Sequence, residues 1–284
     1  MKLANVKRGD KNTFGIVTDS GFIDLGKRLG QQAADVVGLF ENNLVGKARE
    51  LAAGTQPDCS LDEIVFRTPN DRSDARIFAL GWAYAEHQAE TGKEPPAFPN
   101  MFSRLPESLV GHGAHLVKPN ISDTFDYEGE VAVIIGKGGR HIPMEAAKSH
   151  IGGYSILMDG SIREWQKHSI TAGKNFDKSG SFGPWMLTAD EVPDPAKLIL
   201  TTRLNGEQVQ HAPFGDMVWD LAHLVHYIST FCELRAGDVI STGTPGGVGH
   251  KRNPQKFMKP GDTIEVEVQG LGLLRNTVVQ EVEA

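Results

Sequence analysis

Two cysteines in 284 residues leave little room for sulfur chemistry. Cys59 and Cys232 stand far apart and form no CxxC or zinc spacing, so they read as two reduced thiols, one of them in the core. That pattern gives an expectation of a cytoplasmic location. Positive charge is also in deficit. Lys and Arg number 29 against 36 Asp and Glu, a formal net charge of −7, which argues against a nucleic-acid or anionic-membrane surface. No apolar run approaches the roughly 20 residues needed to span a bilayer. The start, Met1-Lys2-Leu3-Ala4-Asn5-Val6, lacks the apolar core of a signal peptide. Several motifs are missing as well. There is no GK[ST] to close a phosphate loop, no Gly-x-Gly-x-x-Gly before a helix and no GxSxG elbow, so covalent acyl catalysis is unsupported.

What is plentiful is glycine, 32 residues, and short β-branched runs. Phe14–Thr18 and Phe22–Leu25 flank Asp19-Ser20-Gly21, a hairpin signal. Helical stretches are expected near Ala33–Phe40 and Lys47–Ala53, with Gly54 capping the second. Residues 1–70 read as a small N-terminal domain, and the polar stretch Asp58–Asp74 as a linker into a larger domain over 71–284. Further on, Asn205-Gly206 between Leu198–Leu204 and Glu207–Gln210 is a strong hairpin signal. One clear helix is expected between Asp216 and Phe231, with Asp216 as its cap. Its His223 and His226, three apart, read either as metal ligands or as ordinary hydrogen-bonded histidines. Strands and hairpins without regular βαβ alternation give an α+β class.

The most informative segment is Asp126–Gly136. Val131–Ile135 is a buried strand, and Glu128 and Glu130 share a face at its entrance. A second apolar run, Gly153–Met158, ends in Asp159. Three carboxylates at strand ends suit a hard divalent cation such as Mg²⁺. Paired acids in that position also occur as solvent-facing or salt-bridged groups, and spacing alone leaves both readings open. Nearby, Arg163 and Gln166 share a face of a short expected helix, and Lys174 stands on a Gly-preceded turn; all three could meet a bound anion. The loop Gly243-Thr244-Pro245-Gly246-Gly247 follows a strand and could present backbone N–H groups to a carboxylate, or be a tight turn. His87 and Glu90, three apart in a helix-prone stretch, suit a general base and its orienting acid, or an ordinary surface pair. The Pro-rich stretch Lys93–Arg104 after them reads as a mobile lid.

Together these segments resemble the fumarylacetoacetate hydrolase family. The resemblance runs, in order, through Gly81–His87, Asp126–Gly136, Gly153–Gln166, Gly173–Trp185, Gly237–Pro245, Lys259–Asp262 and Gly270–Asn276. It implies a catalytic domain built as a mixed β-sandwich roll, a homodimer, and Mg²⁺ or Mn²⁺ held by Glu128, Glu130 and Asp159. It implies a catalytic His87–Glu90 pair, with Lys174 also in the catalytic set. Arg163, Gln166, Lys174, Gly243 and Thr244 are implied as contacts to a 2-oxo acid. Two departures alter the pocket wall: Gly81-Trp82-Ala83-Tyr84 stands for the family's Gly-Leu-Asn-Tyr, and Gly160-Ser161-Ile162-Arg163 for Val-Ser-Ala-Arg. The reaction ranked first is C–C hydrolysis of a 2,4-dioxo acid to pyruvate and a carboxylic acid. Behind it come decarboxylation or isomerisation of a 2-oxo or 2-hydroxydienoic diacid in aromatic catabolism, then hydration or diketo sugar-acid hydrolysis. A non-enzymatic metabolite-binding module ranks last.

Overall fold

The computed structural model describes residues 1–84 and 96–282. At the N-terminus, tight turns fold three strands into a meander. β1 (Lys2–Arg8) pairs with β2 (Lys11–Thr18), and β2 with β3 (Gly21–Asp24), around the expected Asp19-Ser20 turn. Three helices follow, Leu25–Leu29, Val36–Glu41 and Val45–Ala52. Asp24 and Asp35 cap the first two by accepting from Lys27 N and Gly38 N. Gly54, just past the third, has φ +69°, the conformation that ends helices. The stretch 58–74, expected to be a linker, contributes β4 (Val65–Phe66), which pairs with β1.

These strands continue the main sheet. β1 pairs with β13 (Gly180–Thr188), which leads on through β11 (Ile151–Met158), β10 (Gly129–Ile135), β16 (Val239–Ser241) and β5 (Ile77–Gly81) to β6 (Asn100–Arg104). β7 (Leu109–Val110) adds to β13. A second sheet runs β15 (Glu207–Pro213), β14 (Ile199–Leu204), β17 (Thr263–Val268), β18 (Gly272–Gln280) and β8 (His115–Lys118). β9 (Phe125–Asp126) and β12 (Ser161–Ile162) form a two-stranded ribbon. The strand-rich α+β class is the expected one. The β14–β15 turn puts Asn205 at φ 53° and Gly206 at φ 81°, as a two-residue hairpin requires.

The sequence of each strand reports its layer. From Val131 to Ile135, β10 is apolar without alternation because both of its faces are covered. Val131, Val133 and Ile135 pack with Leu200, Ile264 and Val266 of the second sheet. Ala132 and Ile134 pack with Leu25, Leu29, Val36 and Leu39 of the N-terminal helices. β17 instead alternates. Ile264, Val266 and Val268 point to the core, while Glu265 and Glu267 face outward to Arg275 and Arg203. Burial of each large aliphatic side chain contributes about 1.5–3 kcal/mol.

Gly129, at the start of β10, brings the two sheets together beneath the acid cluster. A Cβ there would lie 2.1 Å from Thr202 Oγ1 and 3.0 Å from Val266 Cγ1. Gly129→Ala should therefore destabilise the fold by about 1–3 kcal/mol through overpacking. Urea unfolding measures this, and an unchanged midpoint would refute the tight approach.

The helix Leu221–Phe231 is capped by Asp220, which accepts from His223 N at 2.7 Å, and not by Asp216. Asp216 ends a preceding 3-10 turn, so the helix starts one turn later than expected. Its histidines do not converge on a metal. His226 Nδ1 is 2.7 Å from the Ile142 carbonyl, and His223 stacks on Trp219. Cys59 is buried and Cys232 partly so, and both are free thiols. Among the described residues no helix is long and apolar enough to cross a membrane.

Candidate active site

The strand register assembles the acid cluster. β10 and β11 pair Gly129 with Met158 and Glu130 with Leu157. Glu128 and Asp159 therefore fall opposite each other at the end of the ladder, and Asp159 N donates to Glu128 O at 2.8 Å. On the other side of β10, Ala132 pairs with Ser241, which carries the chain into the glycine loop beside Glu130. Ser241 Oγ and the Gly243 N–H, the latter at 3.0 Å, both donate to Glu130 Oε2. The loop thus does present an N–H to a carboxylate, but to the protein's own Glu130. Thr244 Oγ1 donates to Gly129 O at 2.9 Å and accepts from Gln210 Nε2 at 2.7 Å.

One oxygen from each of Glu128, Glu130 and Asp159 lies within 4.8 Å of the others, and all three residues are buried. Among the described residues, three cations surround them. Lys174 Nζ is 2.5 Å from both Glu128 Oε2 and Asp159 Oδ2. Lys174 ends the short helix Ile170–Lys174; the turn expected there is helical because Ser169 caps it. Arg163 opens the helix Arg163–Gln166. Its Nη2 pairs with Glu128 Oε1 at 2.6 Å, its Nε donates to Asp126 Oδ2 at 2.8 Å, and its Nη1 to Gln166 Oε1 at 3.0 Å. Burial works against the Arg163 charge, but Asp126 and Glu128 outweigh it and hold the guanidinium more firmly protonated than usual. Arg104, fully buried, ion-pairs with Asp159 Oδ1 and donates to Gly160 O at 3.1 Å.

Two of these residues are absent from the candidates drawn from sequence. Arg104 looks like an ordinary strand-end arginine. Asp126 lies inside the motif, yet it works indirectly: it accepts from Gly249 N and His250 N while orienting Arg163. His87 and Glu90, and the first part of the expected lid, lie outside the described residues.

The residues present fit a hard divalent cation. Glu130 Oε1 is buried and has no hydrogen-bond partner among the described residues. The Glu130 carboxyl is pushed well above the usual carboxylate range, first by burial and then by the Asp159 charge, with Lys174 opposing and Glu128 adding. Among the described residues, four carboxylates, counting Asp126, would face three side-chain cations once Glu130 is ionised, and a bound cation would balance the fourth charge. An all-oxygen donor set is the kind that Mg²⁺ or Mn²⁺ takes.

The cluster opens on a cavity of about 330 Å³. Glu128, Arg163, Gln166, Lys174 and Thr244 form its polar wall, and Trp82, Phe102 and Ile170 its apolar one. Trp82 holds φ +57°, a left-handed conformation costly for a bulky residue and typical of functional sites. A larger cavity of about 770 Å³ lies between Val117, Trp165, Phe176 and Val279, but it takes in none of the acid cluster.

Residues 76–279 match the model of the fumarylacetoacetate hydrolase C-terminal family. The chain belongs to that family. It is 37% identical over 236 residues, 82% of its length and 75% of the relative's, to the human mitochondrial oxaloacetate tautomerase FAHD2A. It is 36% identical over 225 residues to the oxaloacetate tautomerase YisK of Bacillus subtilis, with 77% and 74% of the two chains covered. Among solved structures, maleylpyruvate hydrolase from Sphingobium sp. SYK-6, in complex with manganese(II) and pyruvate, superposes with a TM-score of 0.83. The match is at 26% identity and covers 99% of this chain and 100% of that one. Relatives in this family are thus enzymes, tautomerases and hydrolases among them, and one carries a divalent metal.

Proposed function

We propose that this chain is a divalent-metal-dependent enzyme that interconverts the enol and keto forms of a 2-oxo diacid of the oxaloacetate type. The observation that carries this reading is the placement of Arg163, Gln166 and Lys174 on the wall of a cavity that Glu128 also lines, with Glu128 in turn grouped with the buried Glu130 and Asp159. Glu128, Glu130 and Asp159 would hold Mg²⁺ or Mn²⁺, which supplies Lewis-acid stabilisation for negative charge on an enolate oxygen. Arg163 and Lys174 bind the substrate carboxylate, and Gln166 orients Arg163. Asp126 keeps the guanidinium in place while the substrate comes and goes. Enolisation takes one proton from C3 and delivers one to the oxygen at C2, and ketonisation does the reverse, with no carbon–carbon bond broken. His87, three residues before Glu90 in the sequence, is assigned the C3 proton. Trp82, Phe102 and Ile170 limit the water that reaches the site. The similarity to two oxaloacetate tautomerases supports this reaction over the others.

A second reading, hydrolysis of a 2,4-dioxo acid, is favoured by the likeness to maleylpyruvate hydrolase and uses the same residues. There His87 would activate water for attack on the distal carbonyl. The C–C bond then breaks, and pyruvate leaves beside a carboxylic acid. One panel separates the two. With Mg²⁺ or Mn²⁺, decay of the oxaloacetate enol should accelerate with no pyruvate or CO₂ released, and an acylpyruvate should stay intact in ¹⁸O-water. Label in a carboxylic acid product, with the enol untouched, would replace the first reading by the second; CO₂ release would favour decarboxylation.

A further inference from the structure

Lys174 occupies ground that a cation would need. Its ammonium bridges Glu128 Oε2 and Asp159 Oδ2 at 2.5 Å each, two of the three carboxylates that converge. An ammonium and a divalent cation seek the same lone pairs there. In a buried site of low effective dielectric, their like charges repel far more strongly than in water. We propose that cation binding displaces the Lys174 ammonium from Glu128 and Asp159 into the cavity that Lys174 lines, so that metal loading itself turns Lys174 toward the substrate. This inference rests on the reading of the acid cluster as a cation site.

The surroundings allow such a move without moving the backbone. Lys174 is followed by Asn175, whose side chain donates to Ser103 O and Thr171 O and accepts from Leu105 N at 2.6 Å. The helix end is thereby tied to β6, so that a shift of the ammonium falls to the rotatable bonds of the four-carbon Lys174 stem. The Phe102 ring, also on the cavity wall, has its centroid 5.3 Å from Lys174 Nζ, so the ammonium already lies within cation–π range of a partner other than the two carboxylates. Arg104 differs. It holds the other oxygen of Asp159, and Ser108, Ser179 and the Gly160 carbonyl lock it there. Arg104 is therefore the fixed counter-charge and Lys174 the exchangeable one. An acid substrate then meets an available ammonium only after the cation is in place, which orders binding as cation first and substrate second.

The test pairs a variant with a measurement on the unaltered chain. Lys174→Met removes the competitor and keeps the stem, so Mn²⁺ affinity, read by calorimetry on the full-length protein, should rise roughly tenfold. Equal or weaker affinity in the variant overturns the proposal. In the unaltered protein, pulse acylation of Lys174 followed by peptide mass spectrometry should speed up several-fold when Mg²⁺ is added to chelator-treated protein. An unchanged rate overturns the proposal even where Lys174→Met fails to fold. Absence of Mn²⁺ binding in the unaltered protein sinks the cation site itself; binding without increased labelling sinks only the displacement.

Discussion

Titration of Mn²⁺ into Glu130→Gln should lose saturable binding, with affinity down about 100-fold or more, while the fold survives. Glu130, like Asp159, is fully buried, and its Oε1 has no hydrogen-bond partner among the described residues. Its other oxygen is committed to Ser241 and Gly243. A glutamine keeps the shape and can still accept from both donors, so the loop that follows β16 should stay in place. What it removes is the charge. Burial and the neighbouring Asp159 make that charge costly in the absence of a cation, so the variant should melt no lower than the chelator-treated parent. Chelation should abolish turnover of the parent, and Mg²⁺ or Mn²⁺ should restore it, whereas neither should restore Glu130→Gln. Undiminished Mn²⁺ affinity in the variant would remove Glu130 from the ligand set.

The parts legible in the sequence are those that local patterning determines. The β10 run, the alternation of β17 and the Asn205-Gly206 turn each carry their own signal in a few residues. The acid cluster was legible for a related reason. Two acids two apart on a strand share a face wherever that strand goes, and Asp159 needed only an antiparallel register to join them. Long-range pairing leaves no such trace. Nothing near Lys2 announces that β1 pairs with β13, with Lys2 beside Leu187. Asp220 and Asp216 offer the same capping chemistry four residues apart, and the turn Phe214–Asp216 decides between them. Arg104 and Asp126 stayed hidden because a buried charge is recognised by its partners, and theirs come from distant parts of the chain. Lys174 was legible as a cation near the site, but its bridge between two carboxylates was not.

Arg104 provides the second large effect, on stability. Its side chain is fully buried against Asp159, and Ser108, Ser179 and the Gly160 carbonyl satisfy the rest of the guanidinium. Arg104→Met keeps most of the volume and removes the charge. Asp159 is then left in a dry site with Lys174, shared with Glu128, as its remaining ion-pair partner among the described residues. Breaking one side of a buried pair costs about 3–5 kcal/mol, because the surviving charge keeps its desolvation penalty. For a chain of this size that lowers the thermal midpoint by on the order of 10 °C. Arg104→Lys retains the charge but not the fork of donors and should fall between the two. The decisive comparison is the double variant Arg104→Met with Asp159→Asn. Removing both charges should cost less than the two single losses added together, by about 1 kcal/mol or more, since the residues touch. Strict additivity, or an Arg104→Met protein within about 1 kcal/mol of the parent, would mean that Asp159 does not depend on Arg104. Lys174 would then be the charge that keeps this corner of the site folded.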